Sequence, residues 1–542
     1  MKKILLLLLV TALGCQQCTE KQKVYDLVIY GGTSAGIAAA VQTARMGKSV
    51  VVINPGEHLG GLSSGGLGQT DIGNKMVIGG ISREFYRRIR KYYQDPTHWK
   101  WEERSVYRDG GQTRTLPGEE TMWTFEPSAA RSVFNDLIEE YGIPVVLNQR
   151  IDLEEGVDKQ KWEIISIRME SGREFRGKMY IDATYEGDLM AVAGISYTTG
   201  REAVSEYGES LNGVQTRMAI HHQFQDGIDP YMVKGDPASG LLPGINKDPG
   251  KEGSGDKKIQ AYCFRMCLTD VPENRIPIEK PDPYDELEYE LLFRALENGY
   301  RGPFFIMSMM PNRKTDANNR GGFSSDFIGR NYEYPDGDYQ KREEIIHAHR
   351  IYQLGLLWTL ANHPRVPEEI RNEWKKWGLP ADEFADNGHW SPQLYIREAR
   401  RMVSDYVMTQ HHCTQDSISA RLSVGMGAYT MDSHHVQRYV NEEGSVKNEG
   451  DVQVGGFSPY PIDYRSITPK KQECTNLLVP VCLSATHIAF GSIRMEPVFM
   501  VLAQSAATAA CMAIDENTPV QDLDYPVLRK RLIEDKQVLS YD

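Results

Sequence analysis

The segment Gly31-Gly32-Thr33-Ser34-Ala35-Gly36 carries the chemistry of anion binding. Glycine permits a sharp turn and a close backbone approach. The free N–H groups at the start of a following helix would face a diphosphate. Two positions depart from the G-x-G-x-x-G pattern. The middle glycine is Thr33, and Asn54 stands where an acidic residue would bind a ribose hydroxyl. An amide can make that bond, more weakly than a carboxylate. Near the other end of the chain, His487, Arg494 and Glu496 share one polar loop ahead of Pro497. An imidazole has the intrinsic pKa range of a general base, and Glu496 is the second candidate for that role.

The elements around these residues fit the first task. Val24–Tyr30 is a short β-rich run, Ile37–Met46 has helical composition with Gly47 as a stop, and Ser49–Ile53 reads as a second strand. Strand, glycine turn, helix and strand together form a dinucleotide-binding unit; the plainer alternative is a turn that merely joins strand to helix. A second glycine-rich stretch, Pro55 to Gly68, follows at once. Backbone that must approach a long cofactor beyond its diphosphate favours glycine.

With Tyr30–Gly36 and His58-Leu59-Gly60-Gly61, the sequence resembles the FAD-dependent oxidoreductase family of glutathione-reductase-like flavoproteins. It is closely similar to a secreted bacterial group, some of whose members bear the inherited label xanthan lyase. The resemblance runs from about residue 24 to about residue 515. It implies an α/β fold: a Rossmann-like FAD-binding domain assembled from discontinuous segments, with an inserted α+β substrate domain. Gly31, Gly32, Thr33, Ser34, Ala35, Gly36, Asn54, Pro55, Gly60, Gly61 and Leu62 would then approach FAD.

Two further stretches carry the likeness. Met179–Asp182 reads as a strand ending in Ala183-Thr184, with Gly187-Asp188 following; this implies that Ala183 and Thr184 touch the cofactor, with Asp188 nearby. It is preceded by a helix at Pro127–Tyr141, a strand at Ile143–Leu147 and a hairpin around Ser171-Gly172. At the C-terminal end, Pro497 opens a long helix from Val498 to Ile514, as proline suits a first helical turn. The family likeness sets the positive end of that helix, with Met495, Arg494 and Glu496, against the flavin ring. An Arg–Glu surface pair is the plainer reading of these charges.

Composition limits the rest. Lys+Arg is 61 and Asp+Glu is 74, a formal net charge of −13, which argues against holding nucleic acid through its phosphates. Lys2-Lys3, the apolar run Ile4–Val10 and the small residues before Cys15 read as an export signal. The Ala12-Leu13-Gly14-Cys15 ending resembles a bacterial lipobox with its Leu one place late, which implies cleavage before Cys15 and a lipid anchor on it. The expected location is therefore the cell envelope or periplasm, with contact to membrane only through Cys15. The six cysteines of the body are few for the length and not clustered in pairs, and no spacing matches a zinc site. The His pairs 221–222, 411–412 and 434–435 would face opposite sides of a strand, so chelation by a pair is not expected.

These readings divide the chain into a signal peptide at 1–14, a linker at 15–23, FAD-domain parts at 24–200 and 471–520, a substrate domain at 201–470 and a tail at 521–542. Within the insert, Ile259–Leu268 reads as a strand, Asp316–Gly321 as a polar loop, and Tyr339–Leu360 and Pro392–Met408 as helices. On the last of these, Arg397 and Arg401 would share a face beside Glu398. The expected function is hydride transfer between a small organic, carbohydrate-related substrate and flavin, with His487, Glu496 and Arg494 at the site and an electron acceptor of open identity. The alternatives are a flavin-containing polysaccharide lyase and a non-catalytic cofactor-holding surface protein.

Overall fold

Leu27–Tyr30 and Val50–Ile53 are buried on both faces, as strands at the centre of a parallel sheet must be. The computed structural model describes residues 23–416 and 418–541. The export signal, Cys15 and Cys18 lie outside the described residues. Strand β1 (Val24–Tyr30) pairs in parallel with β2 (Val50–Ile53) on one side and with β6 (Glu174–Asp182) on the other. Strand β3 (Val145–Val146) extends the sheet beyond β2. Strands β4 (Val157–Gln160) and β5 (Glu163–Arg168) add an antiparallel ribbon beside β6. The short strand Leu477–Leu478 joins β6 in parallel at Tyr180 and Ile181. Chain from both ends thus builds one sheet of seven strands among the described residues, and the segment 201–470 contributes none of them.

Helix α1 (Ser34–Arg45) follows β1 and is buried from Ser34 to Thr43. Its alanines let it sit between the sheet and the helix Glu496–Glu516, which is itself buried along nearly all its length. By length and composition that second helix could cross a bilayer, but 89% of its apolar window is buried inside the protein. Burying each Val, Leu, Phe or Met of this helix contributes about 1.5–3 kcal/mol. Helices α2 (Gly80–Tyr92) and α3 (Pro127–Glu140) complete the layer, with Phe85 stacked on Phe134 at 4.4 Å between ring centroids.

One polar joint ties three strands together at the edge of the sheet. Asp26 accepts from the Ser49 N–H at 2.9 Å, the Ser49 hydroxyl at 2.8 Å and Lys178 Nζ at 2.7 Å. Burial opposes its ionisation, yet these donors hold its carboxyl down to about 2. A depressed folded-state pKa gives stability that is full above the unfolded value and lost as pH falls toward 2. Asp26→Asn should therefore cost about 1 kcal/mol at neutral pH, after allowance for solvent screening. Urea unfolding from pH 7 to pH 2 should show the difference from the unmodified chain shrinking below pH 4; a constant difference would refute the assignment.

The insert differs from its sequence reading in four places. Ile259–Leu268 is extended but forms only isolated bridges, at Cys263 to Tyr395 and Met266 to Ala317. The Gln353 carboxamide bonds both the N–H and the C=O of Phe264, doing the work of a neighbouring strand. Pro392–Met408 is not a helix: Arg401 and Met402 pair with Thr198 and Tyr197 as a short antiparallel ladder. Arg397 and Arg401 then reach separate buried carboxylates, Asp326 and Glu202, rather than sharing a face. Lys314–Asn319 is a strand paired with Phe305–Met310, so Asp316 sits in a hairpin and not a loop. Beyond residue 520, Tyr525–Glu534 is helical, and Gln537 Nε2 donates to the Val501 carbonyl at 2.9 Å, so this stretch packs on the core. Tyr339–Asn362 is helical. The six cysteines from Cys263 to Cys511 are free and buried.

Candidate functional site

A cleft of about 580 Å3 opens at the C-terminal ends of β1 and β2, lined among others by Gly31, Thr33, Asn54, Pro55, Thr184 and Tyr185. Open α/β sheets place ligands at this edge. Gly31 turns with φ +109°, and a Cβ there would lie 2.7 Å from the Ala183 carbonyl carbon. The Thr33 hydroxyl caps α1 by accepting from the Gly36 N–H at 3.2 Å and donates to the Ala183 carbonyl at 2.7 Å. A Cβ on Gly36 would fall on the Gly31 carbonyl oxygen. Ala35 is buried in the first turn of α1.

Asn54 does not point its amide outward. Its Oδ1 accepts from the Gly32 N–H at 2.8 Å, and its Nδ2 donates to the carbonyls of Gly56 and His58. The side chain that was expected to bond a ribose is largely committed to shaping the turn. Gly60 and Gly61 adopt φ +91° and +55° as the chain passes beneath Tyr185. The Leu62 N–H donates to the Tyr185 hydroxyl at 2.9 Å.

The far ends of the chain meet at Glu496. Its Oε2 accepts from the Ser34 hydroxyl at 2.6 Å and the Ser63 hydroxyl at 2.9 Å, while Oε1 accepts from Tyr185 at 2.7 Å. Burial pushes its carboxyl above the usual range, and the three hydroxyl donors oppose that rise. Met495 is the residue before the helix and is buried.

Three predicted residues lie elsewhere. Asp188 is held by Arg342 at 2.7 Å and Arg400 at 2.8 Å, and is absent from the cleft lining. His487, first residue of the helix His487–Ile493, has Nδ1 2.7 Å from Glu398 Oε2, and its N–H donates to Glu202 at 2.9 Å. Both carboxylates also pair with Arg401. Burial, aided by Arg401, lowers its pKa to about 3. The helix cap at Thr486 turns this imidazole into a closed ion network, away from Glu496. Arg494 points from the Glu496 joint toward the insert, donating to Tyr395 Oη at 2.9 Å and pairing with Asp432 at 3.2 Å.

There it enters a buried charged cluster; Asp316 and Arg397 were among the polar residues picked out in the sequence, whereas Asp326 and Asp432 were not, and His434 was noted only as one of a pair. Arg265 grips Asp316 with two bonds of 2.6 and 2.8 Å and lies 3.8 Å from Asp71. Arg397 pairs with Asp326 at 3.0 Å, and Asp326 also meets His434 at 2.8 Å. Burial opposes ionisation of Asp326, but Arg397 and His434 hold it well below the usual carboxylate range. Asp451, nearby, is raised by burial to about 8. The Nε atoms of Arg397 and Arg494 and Oδ1 of Asp451 are buried without a hydrogen-bond partner, a state that calls for a ligand or ordered water. The signal available in sequence was Asp432 and His434 two residues apart at the end of a short strand-like run. Among the described residues no group of three His, Cys, Asp or Glu side chains is arranged to hold a metal ion.

The family model for FAD dependent oxidoreductases matches residues 26–532. The chain belongs to the FAD-dependent oxidoreductase family. It is an enzyme, and FAD is its cofactor. Among solved structures it is similar to OxyS anhydrotetracycline hydroxylase from Streptomyces rimosus, at 12% identity over 33% of this chain and 36% of that one, TM-score 0.23. L-amino acid deaminase from Proteus vulgaris matches at 16% over 33% and 52%, TM-score 0.24. L-proline dehydrogenase from P.horikoshii matches at 15% over 34% and 59%, TM-score 0.23. The chain therefore spans between about a third and three fifths of these structures' own lengths. No curated protein matches the sequence.

The residues present fit FAD. The positive-φ turn at Gly31 and the packing of Gly36 against the Gly31 carbonyl bring the N-terminus of α1 to the cleft, where its free N–H groups would suit a diphosphate. Thr33, Asn54, Pro55 and Thr184 line the cleft.

Proposed function

We propose that this oxidoreductase takes a hydride equivalent from a small, polar, carbohydrate-related substrate bound at the charged cluster. Bound FAD supplies the two-electron acceptor for that chemistry. The observation that carries the reading is the continuity from Ser34 at the glycine turn, through Glu496, to Arg494 and Asp432 in the cluster. The start of α1 would hold the cofactor's diphosphate end, and Glu496 fixes Ser63 and Tyr185. Arg265–Asp316, Arg397–Asp326 and Arg494–Asp432 pair most of the cluster's charge internally. Such a lattice offers both donors and acceptors to hydroxyl groups and favours a neutral polyhydroxy compound over a highly charged one. Burial of these groups excludes water and strengthens each contact.

We further propose export to the cell envelope with a lipid on Cys15, on the strength of Lys2-Lys3, the apolar run and the Cys15 context. The purified protein should carry the visible absorbance of oxidised flavin and lose it anaerobically with a sugar or polyol substrate. Unsaturated uronate products without bleaching would favour a lyase instead. A flavin that no sugar or polyol bleaches would refute the substrate class.

A further inference from the structure

His434 lies between two carboxylates, one facing each ring nitrogen. It follows the strand Met431–Ser433, two residues on from Asp432. Its Nδ1 lies 2.8 Å from Asp326 Oδ2, while the other oxygen of Asp326 is 3.0 Å from Arg397. Arg397 keeps Asp326 ionised, so Asp326 accepts and Nδ1 carries the hydrogen. In the neutral imidazole this leaves a lone pair on Nε2. The group facing it is Asp432 Oδ2, 3.6 Å away and beyond hydrogen-bond length. Asp432 retains 19% side-chain exposure and His434 11%, so both side chains keep some accessible surface on which a ligand could settle.

The gap is held from behind. Arg494 fixes Asp432 through its carboxylate at 3.2 Å and its carbonyl at 3.1 Å. A Cβ on Gly491 would come within 2.6 Å of the Asp432 carbonyl oxygen, so strand and helix are in direct contact. Arg494 is two residues from Glu496, which touches the glycine-turn helix through Ser34. The open nitrogen thus belongs to the same continuous framework as the cofactor cleft.

Resting on the oxidoreductase reading above, we propose that His434 Nε2 is the proton acceptor in substrate oxidation, with the substrate hydroxyl seated between His434 and Asp432. The O–H bond breaks and its proton goes to Nε2. Bound FAD would supply the acceptor for the hydrogen and electron pair of the adjacent carbon, so that the alcohol becomes a carbonyl. Asp326 and Asp432 stabilise the imidazolium that forms, as a carboxylate partner does for a histidine base. Asp326 is a positioning residue, since it acts through the imidazole.

The groups facing His434 are Asp326, Asp432 and Asp451, together with Arg397, His222 and His435. Burial and Arg397 disfavour the imidazolium, and the two paired carboxylates outweigh them, so its pKa is raised above the ordinary value. A base of this kind is active when unprotonated. Oxidation should therefore slow as pH falls through a value above about 6.5.

The test uses the holoenzyme mixed anaerobically with D-glucose, D-glucuronate and glycerol, together with His434→Asn and Asp326→Asn. Bleaching by His434→Asn should be roughly 100-fold slower at unchanged flavin content, and its pH limb should vanish. Asp326→Asn should shift that limb downward. Bleaching of His434→Asn within about threefold of the unmodified enzyme, or with the limb intact, would overturn the proposal. If none of the three compounds bleaches the unmodified enzyme, the substrate reading fails separately. Histidine NMR titration of the holoenzyme then decides: the resonance missing from His434→Asn must titrate above about 6.5 and fall in Asp326→Asn. Titration at or below that value, or no response to Asp326→Asn, would sink the proposal.

Discussion

Gly36→Val should leave the protein unable to retain flavin and destabilise it by about 3 kcal/mol or more, at the upper end of overpacking costs. The added Cβ would fall on the Gly31 carbonyl oxygen, and neither partner can yield. Gly31 is pinned by its N–H to the Ile53 carbonyl at 2.8 Å, and it is wedged against the Ala183–Thr184 backbone. Gly36 is pinned by the Thr33 cap and the buried first turn of α1. Relief would need α1 to move off β1, which carries the helix start away from the diphosphate. Flavin content per chain and urea unfolding measure both effects. Gly110→Ala is the control: its Cβ meets nothing within 4 Å, and stability should change by no more than about 0.5 kcal/mol. Similar behaviour of the two variants would refute the packing argument.

Glu496→Ala should destabilise the protein by about 3–5 kcal/mol, because three buried hydroxyls lose one shared acceptor. Each unsatisfied donor carries a desolvation penalty of about 1–3 kcal/mol, partly relieved where a hydroxyl rotates to another acceptor. Flavin affinity should fall with stability, since Tyr185 lines the cleft and also receives the Leu62 N–H. Glu496→Gln keeps the shape and one carbonyl acceptor, so its cost should be about 1–2 kcal/mol. Chemical denaturation and flavin titration of the two variants separate lost hydrogen bonds from lost volume. An alanine variant within about 0.5 kcal/mol of the unmodified chain would show that Glu496 does not hold the two ends together.

Much of the cofactor unit was legible because it is local. The alternation of Val24–Tyr30, glycine turn, Ala-rich helix and Val50–Ile53 is fixed by side-chain size and backbone freedom over thirty residues. The departure at position 54 was visible too, but not its consequence. Whether Asn54 faces a ligand or its own turn depends on where the Gly32 N–H and the Gly56 and His58 carbonyls lie.

The insert was harder to read because its strands and extended segments find partners far away in the chain. Pro392–Met408 has a composition that suits a helix, yet its charges are satisfied one by one by Asp326, Glu202 and Asp188. Those bonds outweigh local propensity. His487 shows the same limit: proximity in sequence to Glu496 placed it in the right loop, while the cap at Thr486 aimed it at Glu398.

The sequence by itself determined the nucleotide-binding turn and the core helix after Pro497, since each rests on short-range pattern; the flavin-dependent family was read from a resemblance and is shown by the family match over residues 26–532. Only the tertiary structure decided which titratable groups share a cluster. Asp326, Asp432 and Arg494 come from three separate stretches, and burial makes their charges meet because no lone charge there can be left without a partner.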